Sequence, residues 1–152
     1  MLKFFLKTDD SVGPLVLRLT LGCVIFAHGA QKVLGWFGGP GAEKTIQLFT
    51  STMGFPLPLT LLVMASEFLG PIALSLGFFT RISAFAIAVN LGTCAYMNHL
   101  KNGFFMNWFG QQKGEGFEFH LLVIGIAVAL MITGGGFFSL DRVLTRDKKY
   151  NW

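Results

Sequence analysis

Charged residues are scarce in this sequence: they make up 13% of it, about half the share that a soluble domain carries. Hydrophobic residues make up 53%, and the chain has 19 glycines among its 152 residues. Glycine is more frequent in membrane helices than in soluble ones. The scarcity of charge therefore excludes an ordinary soluble domain and predicts an all-α membrane protein.

Cysteine is scarce too, because only Cys23 and Cys94 are present, in different apolar segments and outside any C-x-x-C pair. This excludes a thioredoxin-like dithiol. The sequence also lacks a P-loop, a Rossmann fingerprint, a haem-attachment motif and a nucleophile elbow. No basic face repeats along a helix, so the net charge of +4 indicates contact with anionic lipid headgroups. We expect a lipid membrane as partner, no nucleic acid and no covalently bound cofactor.

Four apolar segments are long enough to cross about 30 Å of hydrocarbon as helices of roughly 20 residues. Because every backbone polar group must be paired internally in lipid, each segment should be helical. The sequence therefore predicts a single domain over residues 1–152, built as a four-transmembrane-helix bundle. Its predicted helices cover about 12–37, 56–79, 81–100 and 118–138.

The connection between the first two segments, GGPGAEKTIQLFTSTMGFP, has a helical pattern of its own. It opens with a Gly-Pro-Gly breaker, and Ile46, Phe49 and Met53 then follow at helical spacing. This pattern predicts a short amphipathic helix on the outer surface.

Lysine and arginine flanks predict the orientation, because cytoplasmic loops carry an excess of them. The bias favours both termini in the cytoplasm. The predicted cytoplasmic side holds Lys3, Lys7, Arg81, Arg142, Arg146, Lys148 and Lys149, and the outer side holds Lys32, Lys44, Lys101 and Lys113.

Glu67 is the most informative polar residue, because a charge at the centre of a membrane helix costs about 2.5–3.5 kcal/mol. Pro71 lies four residues later, and it removes the hydrogen bond to the carbonyl of Glu67. A carboxylate and a freed backbone acceptor thus occur in the same turn. The carboxylate could carry a proton or orient a ligand, or it could hold two helices together.

Three polar residues lie along the first predicted helix. Arg18 is expected to extend to the cytoplasmic headgroups. His28 lies about 21 Å along the helix from Pro14, level with Glu67, so we expect the two to pair. Lys32, with Trp36, is expected to mark the outer end of the helix.

Asn90, in the third segment, is expected to bridge helices. At the outer end Asn98, His99, Glu118 and His120 gather where the last two segments meet their loop. No H-x-x-x-H or H-E-x-x-H spacing occurs among them, so no metal site is predicted.

Five stretches occur in order along nearly the whole chain: VLRLTLGCVIFAHGAQKVLGWFGG, MGFPLPLT, SEFLGPIALSLGFFTRISA, GEGFEFHLLV and GGGFFSLD. Together they resemble the DoxX family of small four-helix bacterial membrane proteins. One departure is Gly70-Pro71, where the family often has paired glycines. The resemblance implies a multi-pass protein of the bacterial inner membrane.

The resemblance also implies an association with redox chemistry, because family members resemble subunits of quinone-linked oxidoreductases, including thiosulfate:quinone oxidoreductases. Others are partners in detoxification complexes. The positions that match the family pattern are Arg18, Gly22, His28, Gly29, Lys32, Glu67, Gly77 to Arg81, Glu118 and Ser139 to Asp141.

Three functions are open at this point. The first is a quinone-linked oxidoreductase subunit that binds a quinone or a small apolar ligand near mid-membrane. The second is a non-catalytic scaffold that recruits soluble redox or detoxification enzymes through residues 101–117 or 141–152. The third is a proton-linked small-solute carrier acting as a homo-oligomer, although the hydropathy shows no inverted repeat. The candidate ligand-binding residues are Arg18, His28, Lys32, Glu67, Asn90 and Glu118.

Overall fold

The computed structural model describes residues 6–8 and 10–145. Its secondary structure over these residues is helical, without a strand, which confirms the prediction of an all-α protein. Lys3, Arg146, Lys148 and Lys149, and most of the predicted contact segment 141–152, lie outside the described residues. The helices are α1 (Gly13–Leu34), α2 (Gly41–Gln47), α3 (Leu57–Leu76), α4 (Thr80–Cys94), α5 (Glu118–Thr133) and α6 (Leu140–Thr145).

The four long helices begin within one residue of the predicted starts and end earlier than predicted. Glycine explains the early ends of α1, α3 and α5. Gly35, Gly77 and Gly134 follow them with φ of 71°, 65° and 78°, a backbone conformation that ends a helix and that glycine adopts without strain. Apolar composition continues past these glycines, so it does not mark the helix ends.

Helices α1 and α3 are each long and apolar enough to cross a membrane. At about 1.5 Å per residue they measure roughly 33 Å and 30 Å. Helix α5 is apolar but has only 16 residues, or about 24 Å. Helix α4 has 15 residues and continues through a π-helical turn, Ala95–His99, and a 3-10 turn, Leu100–Asn102.

The long helices pack around one apolar core. Helix α1 contacts α3 and α5, and α4 contacts the same two helices. The core between them is made of buried aliphatic side chains from all four, including Leu21, Leu74, Ile87 and Leu130. Each of these helices therefore has its apolar inner face covered by two neighbours.

Two glycines allow α1 and α3 to approach closely. A Cβ at Gly22 would lie 2.1 Å from Oγ of Ser75, and a Cβ at Gly29 would lie 2.0 Å from the carbonyl oxygen of Glu67. These distances leave no room for a side chain. Gly29 therefore fixes the level at which Glu67 meets α1.

Helix α2 continues into a second π-helical turn, Leu48–Thr52. Oγ1 of Thr45 donates a hydrogen bond of 3.1 Å to the carbonyl of Lys32, so α2 is held against the C-terminal end of α1. The predicted apolar stripe is half-buried, and Phe49 and Met53 face the space between α3 and α4. The short helix and the π-helical turn thus cover one end of that space.

The start of α4 is capped by a residue from the other end of the chain. The carboxylate of Asp141 accepts hydrogen bonds of 2.7 Å and 2.8 Å from the backbone N–H groups of Phe79 and Thr80. The backbone N–H of Asp141 in turn donates to the carbonyl of Gly77. This exchange joins the short connection between α3 and α4 to α6.

Candidate functional site: a polar cluster in an apolar cavity

Glu67 and Lys32 form an ion pair inside the protein. Glu67 is 4% exposed, and Nζ of Lys32 donates to its Oε2. Asn90 completes the cluster, because its Nδ2 donates 2.9 Å to Oε1 of Glu67 and 3.0 Å to Oγ of Ser66. Three helices, α1, α3 and α4, therefore meet at one carboxylate, and both of its oxygens have a donor.

The local backbone explains why the partner of Glu67 is Lys32. Gly29 lies against the carbonyl of Glu67, which is the carbonyl that Pro71 leaves without its helical donor. Lys32 is three residues beyond Gly29 and so lies on the same face of α1, about one turn farther out. Its long side chain extends back along that face to reach the carboxylate, and it is 29% exposed.

A cavity of about 440 Å³ adjoins this cluster, between α3 and α4. Its walls are mainly apolar, with Leu62, Phe85 and Val89 among them, and Phe49 of the outer connection contributes to one end. Ligand sites commonly have volumes of about 300–1,000 Å³, apolar walls and a few convergent polar groups. Lys32, Ser66, Glu67 and Asn90 supply such groups here.

The cavity opens sideways, on the outer faces of α3 and α4. Leu59, Leu62, Ile82, Phe85 and Val89 line it and are also exposed on the surface of the protein. Exposed apolar side chains of this kind suit contact with the hydrocarbon of a membrane. A ligand dissolved in the lipid could therefore enter the cavity without crossing water.

The polar cluster offers donors and an acceptor to such a ligand. The ammonium of Lys32 has three N–H groups, of which Glu67 takes one. Asn90 uses both of its amide hydrogens, on Ser66 and Glu67, so its Oδ1 is the atom left to accept a bond. The site can therefore donate to a carbonyl oxygen and accept from a hydroxyl group.

The predicted pair of His28 and Glu67 is not formed. His28 is exposed, and its ring packs against Phe119 of α5 at 5.9 Å between centroids. The predicted level of His28 is right to within one residue, because Gly29 meets Glu67. At about 100° per residue, however, His28 lies well round the helix from Gly29, away from the cavity.

The prediction that Arg18 extends to the lipid headgroups is wrong. Arg18 is 1% exposed, and its guanidinium donates to four backbone carbonyls, those of Ser75, Gly135, Phe137 and Phe138. It joins the N-terminal part of α1 to the end of α3 and to the turn after α5. Arg18 is therefore far from the cluster at Glu67, and its contacts are those of a structural residue.

Glu118 also lies outside the cavity. Its Oε1 accepts 2.9 Å from the backbone N–H of Met106 and 3.4 Å from Nε1 of Trp108. These bonds organise the loop between α4 and α5. Of the six candidate residues, the structure therefore brings together Lys32, Glu67 and Asn90 and places Arg18, His28 and Glu118 elsewhere.

Ser66, Cys94 and Asn98 also line the cavity and are absent from the sequence-based candidates. Cys94 gives a usable signal, because it lies four residues after Asn90 and so on the same face of α4. Ser66 is next to Glu67 in the sequence, and residues one apart do not share a helix face, so its position gives no signal of this kind. Asn98 is noted in the sequence only as part of the polar group beside the last loop, because the π-helical turn that places it at the cavity is not predicted by any pattern.

Comparison with known proteins identifies the family. The DoxX family model matches residues 13–100, a range that holds Lys32, Glu67 and Asn90. The chain belongs to the DoxX family. This confirms the resemblance found in the sequence, and with it the expectation of a membrane protein.

Two relatives of this DoxX protein are similar over almost its full length. "Putative oxidoreductase CatD" of Bacillus subtilis (strain 168) is 30% identical over 138 residues, which cover 91% of each chain. "Inner membrane protein YqjF" of Escherichia coli (strain K12) is 29% identical over 141 residues, 93% of this chain and 98% of the relative. No solved structure matches the chain.

Proposed function

We propose that this DoxX protein is a four-span protein of the bacterial inner membrane that binds a quinone, or a ligand of similar chemistry, against Lys32, Glu67 and Asn90. Its role is that of a subunit associated with redox chemistry. The observation that carries the proposal is the apolar cavity that opens toward lipid and ends at three polar groups from three helices.

The four-span arrangement rests on the two shorter helices together with α1 and α3. Helix α4 and the turns that follow it form a continuous helical segment over residues 80–102. Helix α5 is apolar throughout. The inner membrane location follows the name of the relative from Escherichia coli. We place both termini in the cytoplasm because the predicted cytoplasmic side has more lysine and arginine residues, among them Lys7, Arg81 and Arg142.

A quinone fits the chemistry of the cavity. Its flat ring and apolar tail suit walls of leucine, valine and phenylalanine. Its carbonyl oxygens need donors, which Lys32 provides, and the hydroxyl groups of a quinol need acceptors, which Glu67 and Asn90 provide. When bound, the quinone would supply the electron-accepting chemistry. The redox association itself is supported by the relative named as an oxidoreductase.

The test is binding of a short-chain ubiquinone to the purified full-length protein in lipid nanodiscs, measured by isothermal titration calorimetry. Glu67→Gln keeps the shape of the side chain but removes the charge that holds Lys32, so we expect at least about a tenfold loss of affinity. Ala86→Trp places an indole in the cavity and should abolish binding. Glu43→Gln changes an exposed carboxylate on α2 and is the matched control.

Folding of each variant is followed by thermal unfolding in the same nanodiscs. If Glu67→Gln and Ala86→Trp both fold and bind the ubiquinone as the wild type does, the cavity is not a quinone site and the proposal is wrong.

The loop between α4 and α5 favours a second candidate, the recruitment of a soluble redox enzyme. Trp108 is 79% exposed and Phe109 is 87% exposed, yet Glu115 and Glu118 hold the loop through hydrogen bonds to Asn107 and Met106. Fixed, exposed aromatic side chains suit either lipid headgroups or a protein partner. Cross-linking in cells from a photoreactive residue at position 109 separates lipid contact from protein contact. A protein adduct that is lost in Trp108→Ser but kept in Glu67→Gln supports recruitment.

A further inference from the structure

Three side chains with metal-ligating atoms meet at the outer end of the protein, next to the cavity but apart from its polar cluster. They are Cys94 at the end of α4, His99 at the end of the following π-helical turn and His120 in the first turn of α5. One ligand atom from each lies within 4.8 Å of the others.

The π-helical turn explains how Cys94 and His99 come to share a side. In a regular α-helix, residues five apart lie about 140° apart around the axis. The turn Ala95–His99 instead closes with i→i+5 hydrogen bonds, seen in the bond from the Leu100 N–H to the carbonyl of Ala95. This winding brings His99 round toward Cys94. Insertions of this kind are frequent at functional sites.

Both histidines are prepared for a ligand. Nδ1 of His99 lies 2.9 Å from the carbonyl oxygen of Glu115. A carbonyl only accepts, so Nδ1 carries the hydrogen and Nε2 carries the free lone pair, which is how metal-binding histidines are usually held. His120 is 5% exposed, and within the described residues its buried Nδ1 has no hydrogen-bond partner. A buried polar atom without a partner calls for an explanation, such as an ion.

We propose that Cys94, His99 and His120 bind one transition-metal ion of the soft or borderline class, Zn²⁺ or Cu⁺. A thiolate with two imidazoles suits these ions and disfavours Mg²⁺ and Ca²⁺, which prefer oxygen. Bonds of about 2.0–2.3 Å place the ligand atoms of a tetrahedral site roughly 3.5 Å apart. Side-chain rotations that move the ligand atoms by about 1 Å would therefore bring them from within 4.8 Å of one another to this spacing.

Three protein ligands leave a fourth position of the ion open, as in catalytic zinc sites. Cys94 also lines the cavity, so the ion would lie beside a space that a small ligand can reach. The proposal does not depend on quinone binding, because neither Lys32 nor Glu67 is a ligand. The two can therefore fail separately.

The test uses full-length protein with a Strep tag, which avoids a polyhistidine tag, purified in detergent and stripped with a chelator. Zn²⁺ or Cu⁺ is added back and the bound metal is counted by mass spectrometry after gel filtration. Co²⁺ replaces Zn²⁺ as a spectroscopic probe, because a cobalt–thiolate bond gives a charge-transfer band in the near ultraviolet. We expect one ion per chain and a thermal midpoint that rises with added metal.

Cys94→Ser should remove the cobalt–thiolate band and lower the affinity by at least about tenfold, and His120→Gln should lower the affinity similarly. Cys23→Ser alters the other cysteine, which is exposed on α1, and should keep both the band and the stoichiometry. The proposal is overturned if Cys94→Ser and Cys23→Ser give the same band and affinity. It is also overturned if wild-type protein binds well below one ion per chain at saturating metal. Cys94→Ser keeps the size of the side chain, so the test does not rest on His120→Gln alone.

Discussion

Removing either partner of the ion pair between Lys32 and Glu67 should lower the stability of the protein, but by different amounts. Lys32→Met removes the cation and leaves the carboxylate of Glu67, which is 4% exposed, without a counter-charge. Glu67→Gln removes the anion and leaves Lys32, which is 29% exposed and has a long flexible stem. Because Lys32 can turn toward the outer surface and Glu67 cannot, the first change should cost more.

The magnitudes follow from the contacts. Removing one partner of a buried pair costs about 3–5 kcal/mol. Glu67 keeps its hydrogen bond from Asn90, worth about 1 kcal/mol, so we expect Lys32→Met to cost about 2–4 kcal/mol. Glu67→Gln should cost about 1 kcal/mol. The double variant leaves no buried charge, so it should be more stable than Lys32→Met alone, with a coupling of at least about 1 kcal/mol.

The assay is reversible unfolding by sodium dodecyl sulfate in mixed micelles, followed by tryptophan fluorescence for all four proteins of the cycle. The explanation of the pair is refuted if Glu67→Gln costs as much as Lys32→Met. Strict additivity of the two single changes would refute it equally, since the charges would then not interact.

Two further predictions concern the helix contacts, and both are measured by the same unfolding assay. In Arg18→Lys a single nitrogen replaces the three that the guanidinium uses to reach four carbonyls. At least one charged hydrogen bond should therefore be lost, at a cost of about 1.5–3 kcal/mol. Unchanged stability would show that the contacts of Arg18 are not structural. Gly29→Ala places a Cβ 2.0 Å from the carbonyl oxygen of Glu67 and should lower the stability of the protein by about 1–3 kcal/mol. The control is Gly125→Ala, whose Cβ would have nothing within 4 Å and should not destabilise the protein. Equal stabilities of the two variants would contradict the close approach of α1 and α3.

The helices could largely be predicted from the sequence, because long apolar segments report the environment of a helix directly. Their ends could not. Gly35, Gly77 and Gly134 end helices through a backbone conformation, within stretches that remain apolar. The two π-helical turns were also beyond prediction, since an i→i+5 turn depends on packing and leaves no periodic pattern in a short segment.

The candidate site could be predicted in part. Composition and depth point to Glu67, and the depth count of His28 from Pro14 places the correct level of α1 against it, to within one residue of Gly29. The partner was missed because a depth count has no information on direction around the helix, and because a lysine side chain spans a full turn. The depth count puts His28 at the right level on the wrong side of α1. Lys32 is among the candidate ligand-binding residues, but the sequence places it at the end of the helix and does not pair its ammonium with Glu67.

The bonds made by Arg18 link this protein's stability to the order of its synthesis. Gly135 lies 117 residues after Arg18, and Phe138 lies 120 residues after it. At about 5–20 residues per second, these acceptors are made roughly 6–24 s after Arg18. Until then the guanidinium has only the carbonyl of Ser75 among its final partners. A chain that stops before Gly135 therefore loses more than its last helix, because it also leaves the buried arginine of its first helix with one of its four acceptors.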